Sequence, residues 1–199
     1  MLVLRSSPAS PFGRKVKIVA RTLGLIDRID IVATDTSNPD DRIRAVNPLG
    51  KIPALEIGDG ETLYDSRVIV EYLDWLGGGG RVIPADPAAR FAALRLQALC
   101  DGLCDAALLQ VYEIRLRAET ERSVRWAELQ AGKVSRALAF LEAAPPAQVT
   151  EIGQIALACA LGYLDLRFEG RWRADHPKLV AWLDDFASAN PAFAATAAH

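Results

Sequence analysis

The run of four glycines at Gly77–Gly80 is the feature that most constrains this chain of 199 residues. Glycine destabilises helix interiors, and two prolines that follow closely, Pro84 and Pro87, favour an extended backbone before them. No helix or strand is expected to continue through such a stretch. The sequence therefore predicts two domains, residues 1–77 and 88–199, joined by a linker over residues 78–87.

Short apolar runs alternate with helical patterns in the first domain. The predicted strands are residues 1–5, 29–33, 53–57 and 61–64, and the predicted helices are residues 11–25, 42–46 and 65–76. The sequence Gly58-Asp59-Gly60 between the last two strands is typical of a hairpin turn. The order βαβ, a short helix, then ββα is that of a thioredoxin-like α/β domain.

The second domain shows no strand pattern. Its Ala- and Leu-rich segments repeat apolar residues at helical spacing, which predicts helices at residues 88–117, 119–143, 152–168 and 177–186. An inner face of the third helix is expected through Ile155, Cys159, Tyr163 and Leu166. The predicted fold class is therefore α/β plus all-α, a thioredoxin-like domain followed by a helical bundle.

Composition excludes several classes of protein. Hydrophobic residues make up 51% and charged residues 24%, which is ordinary for a folded chain, and the net charge of -2 gives no electrostatic reason to expect nucleic acid or an anionic membrane as a partner. We see no signal peptide and no apolar run of the ~18 residues that span a membrane. Cys100, Cys104 and Cys159 lie in apolar helical patterns without metal-ligand spacing, so we expect reduced structural thiols, no metal and a cytoplasmic protein.

A helix start is predicted at Ser10-Pro11-Phe12, since Ser favours the N-cap and Pro the first helical position. Capping is one interpretation of Ser10. The other uses the same geometry, because a helix N-terminus stabilises a thiolate and can lower a thiol pKa from ~8.5 to roughly 3.5–7.5. A Ser hydroxyl at this place could also donate a hydrogen bond to sulfur.

A second candidate segment runs from Asn47 to Pro53 and contains Lys51, a cation beside the loop. A proline that opens a strand removes a ladder donor and restricts the residue before it. Either Pro53 is an ordinary loop proline, or the Ile52–Pro53 bond is cis and turns the Ile52 backbone outward toward an extended peptide.

The third candidate segment is Tyr64-Asp65-Ser66, at the start of a predicted helix. Asp65 and Ser66 are good helix caps. They also offer a carboxylate for an ammonium group, together with hydroxyl and N–H donors for a carboxylate. An amino-acid head group carries both of those charges.

Over essentially its whole length the chain resembles the cytosolic glutathione S-transferase superfamily, on the strength of SPFGRKVKI, NPLGKIPAL and LYDSRVIVEYL in that order, followed by the helical half. More narrowly, it looks like a group of small bacterial glutathione S-transferase-like proteins. The resemblance implies that glutathione is a co-substrate and that the chain forms a homodimer through the helix after Asp65 and the long helix after the linker. It also implies an enzyme that attaches glutathione to a small hydrophobic electrophile, as in detoxification.

The resemblance also assigns roles to residues. Ser10 is implied to hydrogen-bond the glutathione sulfur, Ile52 before a cis Pro53 to pair with the cysteinyl part, and Lys51 to contact the glycyl carboxylate. The γ-glutamyl head group is implied to bind Asp65 and Ser66, and Asp101 to reach its amine across a dimer interface. Asp101 could equally be a solvated charge on a helix face.

The electrophile is expected to bind between the domains, where the long helix faces the active loop. Tyr112 and Arg115 are candidates to line that pocket, or else are packing or surface residues. The predicted helix at residues 152–168 lacks the usual capping pattern of the family, since Glu151 and Gln154 stand at the two positions of that pattern, and Thr150 is a candidate cap in their place.

Two alternatives remain open for the function. A glutathione-dependent isomerase or peroxidase would use the same thiolate, although the isomerases of the family that act on maleylacetoacetate carry a Ser-Ser-Cys run and the first domain here has no cysteine. The absence of that cysteine also removes the nucleophile of the cysteine-type activities. A non-catalytic protein that uses the fold as a scaffold, as stringent-starvation-like proteins do, is the other alternative.

Overall fold

The computed structural model describes residues 1–198, so His199, the last residue of the predicted helical domain, lies outside the described residues. The strands are β1 (Leu2–Ser6), β2 (Ile29–Ala33), β3 (Ala54–Gly58) and β4 (Glu61–Leu63). The helices are α1 (Pro11–Thr22), α2 (Ile43–Val46), α3 (Ser66–Leu76), α4 (Pro87–Leu116), α5 (Val124–Ala143), α6 (Ile152–Phe168), α7 (Pro177–Ala189) and α8 (Pro191–Ala194). Within residues 1–198, no helix is both long and apolar enough to cross a membrane.

The four strands form one mixed sheet in the order β2-β1-β3-β4. Strand β1 pairs parallel with β2 and antiparallel with β3, so that Leu4 lies between Ile31 and Leu55. Strands β3 and β4 form the predicted hairpin. This topology and the helices that follow confirm the predicted fold class.

Helix α1 is shorter than predicted. It ends at Thr22 rather than residue 25, because Gly24 adopts a φ of +72° and the Leu25 N–H turns back to the carbonyl of Ala20 at 2.8 Å. The Gly24 N–H bonds the carbonyl of Arg21 at 3.0 Å, which completes a Schellman motif. Glycine suits this position since it has no Cβ to clash in the left-handed region.

The second domain is helical, with three differences from prediction. Residues 119–143 are not one helix: a 3-10 turn at Glu119–Glu121 precedes α5, which begins after Ser123, whose hydroxyl accepts from the Trp126 N–H at 3.2 Å. The last predicted helix is longer and is followed by α8, which was not predicted. Of the predicted inner face of α6, Ile155, Cys159 and Tyr163 are buried, but Leu166 is 44% exposed, and most of the helix is buried on every side.

A buried aspartate organises the glycine-rich connector. The carboxylate of Asp74 accepts hydrogen bonds from the N–H groups of Gly80, Arg81 and Val82 at 2.8–3.0 Å. The Val82 carbonyl in turn accepts from the Ile152 N–H at 2.8 Å, and so satisfies one of the free donors at the start of α6. The domain boundaries themselves stay a prediction.

That carbonyl explains how α6 starts without its usual cap. The Thr150 hydroxyl, predicted as a possible cap, instead donates to the side-chain oxygen of Asn190 at 2.7 Å. Glu151 occupies the N-cap position and makes no capping hydrogen bond with its side chain. The cap is supplied from the connector, about 70 residues away along the chain.

Helix α1 joins the two domains. It packs on α3 on one side and on α6 on the other, and one apolar core runs from the sheet into the bundle. Within this interface the Lys15 ammonium lies 2.7 Å from both carboxylate oxygens of Asp101 on α4. Lys15 is 1% exposed and Asp101 8% exposed, so the ion pair is shielded from water.

Breaking this pair from one side is expected to destabilise the fold. Lys15→Met leaves a buried, unpaired carboxylate, and we expect the free energy of unfolding in urea to fall by about 3–5 kcal/mol. Lys15→Met/Asp101→Leu, which removes both charges, should recover most of that loss. The exposed Arg90–Glu71 pair is the control: Glu71→Gln should cost no more than about 1 kcal/mol. A loss for Lys15→Met as small as that of the control would contradict the assignment.

Candidate functional site

Ser10 lies where the loop after β1 enters α1. Its hydroxyl oxygen accepts a hydrogen bond from the Gly13 N–H at 3.1 Å, which confirms the capping interpretation. A hydroxyl also carries one donor. Within residues 1–198 the Ser10 hydroxyl, which is half-buried, donates to no acceptor. Capping therefore leaves the O–H available to a ligand.

Gly13 allows the start of α1 to approach the end of β1. A Cβ built at Gly13 would lie 2.0 Å from the Ser6 hydroxyl oxygen and 3.4 Å from the Cβ of Ser10. Any side chain at this position would push the helix away from the strand. The contact positions Ser10 relative to the sheet.

Asn47 organises the loop that precedes β3. This residue is 1% exposed; its side-chain amide donates to the Lys51 carbonyl at 2.8 Å and its side-chain oxygen accepts from the Leu49 N–H at 3.0 Å. The Asn47 carbonyl accepts from Gly50, whose φ is +60°. The loop up to Lys51 is thus built around one buried amide.

Ile52 follows this loop, and its bond to Pro53 is cis, the geometry that the family resemblance implies. Neither the N–H nor the C=O of Ile52 is hydrogen-bonded to another group of residues 1–198. Ala54, two residues on, pairs with Arg5 near the end of β1. The unpaired peptide groups therefore lie beside the loop that leads to Ser10.

Asp65 and Ser66 begin α3. The Asp65 carboxylate accepts from the Arg67 N–H at 2.9 Å and lies 2.6 Å from the Arg67 guanidinium. Hydrogen bonds from that guanidinium hold the pKa of Asp65 below its ordinary value, so the carboxylate stays charged in mildly acidic solution. Ser66 is buried, and its hydroxyl makes no hydrogen bond that we find within residues 1–198.

The Lys15–Asp101 pair belongs to the same electrostatic neighbourhood. Burial raises the pKa of Asp101, and the positive charges of Lys15 and Arg67 counteract this effect. Lys15 also lowers the pKa of Asp65. The solvated helix-face interpretation of Asp101 is therefore wrong: the residue is a buried member of a cluster with two cations and two carboxylates.

Lys51 is exposed at the edge of this cluster. Its positive charge counteracts the rise that burial causes in the pKa of Asp105 on α4. Five of the predicted residues, Ser10, Lys51, Ile52, Asp65 and Ser66, thus lie at the ends of elements that the sheet and α1 bring together, and Pro53 directly precedes β3.

A cavity of about 440 Å³ borders Ser10 on the opposite side, toward the helical domain. Its walls come from the loop before α1 and from α1, α6, α7 and α8, and include Arg14, Tyr163, Leu166, Asp184 and Phe193. Tyr112 and Arg115, the candidates for such a pocket, are not among its lining residues. This cavity therefore does not lie at the position on the long helix where the electrophile is expected, and that expectation stays a prediction.

The thiols offer no nucleophile in either place. Cys100, Cys104 and Cys159 are free and buried, as expected of structural thiols. Cys159 lines the cavity, but burial raises its pKa to about 12. It is therefore protonated near neutral pH. Within residues 1–198, no three His, Cys, Asp or Glu side chains are grouped so that they could hold a metal ion.

Sequence reasoning missed several residues that shape these sites, namely Asn47, Arg67, Lys15 and Arg14. Only Lys15 left a clear signal, because it interrupts the apolar stripe of α1 between Phe12 and Val19. A cation at such a position requires a buried partner. The contacts of Asn47 and Arg67 are local but were given no role, and Arg14 depends on contacts with distant residues, which have no sequence pattern.

Comparison with known proteins agrees with this geometry. Residues 9–76 match the family model of the glutathione S-transferase N-terminal domain. The uncharacterized GST-like protein YibF of Escherichia coli is 32% identical over 191 residues, which cover 93% of each chain. Two solved relatives are similar over the entire length of both chains. They are a glutathione transferase family member of Pseudomonas fluorescens Pf-5 with bound glutathione (42% identity, TM-score 0.94) and a glutathione S-transferase of Methylobacillus flagellatus KT with bound glutathione (36%, 0.93).

The Pseudomonas protein has also been solved with bound S-(propanoic acid)-glutathione, at 98% coverage of both chains and a TM-score of 0.88. The YibF match spans nearly all of both chains, and the solved relatives share the fold over their whole length. The chain therefore belongs to the glutathione S-transferase superfamily.

Proposed function

We propose that this protein is a glutathione transferase in which Ser10 stabilises the glutathione thiolate. The observation that carries the proposal is the hydrogen bonding of Ser10. Its hydroxyl oxygen accepts from the Gly13 N–H, while its O–H, at the positive end of α1, donates to no acceptor within residues 1–198. The thiolate attacks an electrophilic carbon, so that a carbon–sulfur bond forms and the leaving group departs with the bonding electrons. Ser10 itself forms no covalent bond.

The remaining glutathione would be held by backbone and charge. We propose that the free N–H and C=O of Ile52, before Pro53, pair with the cysteinyl part as one more extended segment beside the sheet. The exposed Lys51 would contact the glycyl carboxylate. Both groups are positioned by the loop that Asn47 organises.

The γ-glutamyl head group carries one ammonium and one carboxylate. Asp65 would accept the ammonium, and the Ser66 hydroxyl with the free N–H groups of α3 would donate to the carboxylate. Asp101 would assist with the ammonium, in the manner that the family resemblance implies. Lys15 already contacts both oxygens of Asp101, so Asp101 would accept from the ammonium while it keeps its contact with Lys15.

The cavity beside Ser10 is the proposed place for the electrophile, because it is the large concave surface that Ser10 also lines. Its volume falls in the range of roughly 300–1,000 Å³ of small-molecule pockets. The thioether bound by the Pseudomonas relative, S-(propanoic acid)-glutathione, has the bond that such a reaction would form. This favours transfer over isomerase or peroxidase chemistry, in which no lasting carbon–sulfur bond remains.

Removing the Ser10 hydroxyl should raise the thiol pKa of bound glutathione. One charge-assisted hydrogen bond contributes about 1.5–3 kcal/mol, which corresponds to about 1–2 pKa units. Thiolate absorbance against pH, with glutathione affinity by calorimetry, would compare the wild type with Ser10→Ala. Ser123→Ala is the matched control, since it removes an N-cap hydroxyl of α5 far from the site. An unchanged thiol pKa in Ser10→Ala would contradict the role of Ser10.

The same titration separates the alternatives. Failure of the wild type to bind glutathione would leave the scaffold interpretation. Binding with a lowered thiol pKa but without conjugation of any electrophile would favour the isomerase or peroxidase alternative.

Disrupting the Asn47 loop should weaken glutathione binding without unfolding the protein. Asn47→Ala leaves the Lys51 carbonyl and the Leu49 N–H without partners, and each such group costs about 1–3 kcal/mol. We expect the Kd for glutathione by calorimetry to rise about tenfold or more. Asn38→Ala, which removes a similar bond to the Asp40 N–H in an exposed loop, should leave it unchanged. Equal affinity for the two variants would argue against this loop as part of the site.

We infer a homodimer from the exposed aromatic residues on α3 and α4. Trp75 is 69% exposed and Phe91 70% exposed, on the two helices through which relatives are expected to associate. Light scattering should give twice the mass of one chain, and Phe91→Glu should shift the protein toward the mass of a single chain. A single-chain mass for the wild type at micromolar concentration would refute the inference.

A further inference from the structure

Among the described residues 1–198, Arg14 is a cation without a carboxylate partner, and it lies in the cavity beside Ser10. Arg14 follows Ser10 by one turn on the same face of α1, and both line the cavity. One terminal nitrogen of its guanidinium donates to the Phe193 carbonyl at 2.8 Å, and its Nε to the Thr196 hydroxyl at 3.4 Å. Within residues 1–198, no carboxylate lies within ion-pair distance of Arg14.

The carboxylates that line the cavity are directed toward another arginine. Both oxygens of Asp165 accept from Arg173, at 2.9 and 2.7 Å, and one also accepts from the Trp172 indole at 2.9 Å. The charge of Asp184 acts on Arg173 too, since it contributes to the raised pKa of that residue. Asp165 also acts on Arg14, since its charge partly offsets the lowering of the Arg14 pKa by burial, but its oxygens are hydrogen-bonded to Arg173 and Trp172 rather than to Arg14.

The position of Arg14 is fixed by packing. Its guanidinium carbon lies 3.9 Å from the centre of the Phe193 ring, and its other terminal nitrogen lies against α6. A Cβ at Gly162 would come within 2.5 Å of that nitrogen, so glycine provides the space it occupies. We find no hydrogen bond from this second terminal nitrogen to any group of residues 1–198. A partly buried cation with unused donors favours an anion.

We propose that the electrophile of this enzyme carries a carboxylate that pairs with Arg14, while its apolar body packs against Leu166, Leu183 and Phe193. The inference rests on the proposed function, because it places the reacting carbon at Ser10. Side chains four residues apart on a helix are separated by about 5–6 Å, so the reacting carbon and the carboxylate lie roughly one aromatic ring apart. Compact aryl acids meet that requirement, whereas neutral apolar compounds leave Arg14 without an anion.

The test compares two acceptors, 4-chloro-3,5-dinitrobenzoate and its methyl ester, of which only the acid carries a charge. With either one, the thiolate forms a bond to the chlorinated carbon and chloride leaves with the electron pair, so no oxidant or reductant is needed. Each kcat/KM is divided by the uncatalysed rate constant with glutathione, which corrects for intrinsic reactivity. For the wild type we expect the corrected value of the acid to exceed that of the ester at least tenfold.

Variants of Arg14 test whether the preference for the acid depends on the charge of this residue. Arg14→Gln keeps donors for the Phe193 carbonyl but loses the charge, and should bring the acid-to-ester ratio to within about threefold of unity. Arg14→Lys keeps the charge and should retain most of the preference. Arg28→Gln removes an exposed cation beyond the end of α1 and should leave the ratio as in the wild type. A ratio in Arg14→Gln equal to that of the wild type would overturn the assignment.

A binding measurement covers the case of weak turnover or poor folding of Arg14→Gln. Calorimetry on the wild type would compare the two reaction products, the glutathione conjugates of the acid and of the ester, with unmodified glutathione. Tighter binding of the acid conjugate supports the inference, and equal binding of the two conjugates overturns it. Failure to bind glutathione or either conjugate would instead refute the proposed function, so the two failures are distinguishable.

Discussion

The buried ion pair between Lys15 and Asp101 is the interaction on which the arrangement of the candidate site depends. A charge as buried as Lys15 requires a partner, and the only way to supply Asp101 is to hold α4 against α1. Because α1 begins at Ser10, the pair fixes the start of that helix relative to the helical domain. The position of the candidate site relative to the cavity is therefore fixed.

The charges of this cluster also suit the ligand that the relatives bind. Lys15 and Arg67 supply two cations, and Asp65 and Asp101 supply two carboxylates. A zwitterionic head group therefore meets complementary charges, and its binding leaves the net charge of the cluster unchanged. The Arg67–Asp65 pair is exposed, and such pairs contribute little to stability. Asp65 can therefore exchange part of its contact with Arg67 for a ligand ammonium at small cost.

Local signals in the sequence predicted the features that depend on neighbours in the chain. Ser10 and Asp65 cap their helices because capping involves only the next few residues, and the hairpin after β3 follows from its glycines. Contacts between distant residues gave no such signal. The cap of α6 comes from the Val82 carbonyl rather than from Thr150, and a backbone carbonyl leaves no trace in a sequence.

The cavity beside Ser10 was not predicted, for the same reason. Its walls combine α1 with α6, α7 and the unpredicted α8, and Arg14 became part of it only because Gly162 leaves room for the guanidinium. The candidate glutathione-binding segments, by contrast, are short motifs at backbone groups and helix starts. The fold and these segments could therefore be predicted from the sequence, whereas the cavity required the packing of the helices.

Helix periodicity lets α1 serve both halves. At 3.6 residues per turn, Ser10 and Arg14 fall on the side that faces the cavity, while Phe12 and Lys15 lie on another side, with the Lys15 ammonium 5.9 Å from the centre of the Phe12 ring. One side thus carries Ser10, the candidate hydrogen-bond donor to sulfur, and Arg14, which has no carboxylate partner within residues 1–198. The other side carries Lys15, whose buried pair with Asp101 lies toward the proposed head-group site. Insertion or deletion of one residue in this helix would misalign the two sides, since it rotates every later side chain by about 100°. The geometry of the reaction therefore depends on the register of one helix, which Gly13 and the Schellman turn at Gly24 hold at its two ends.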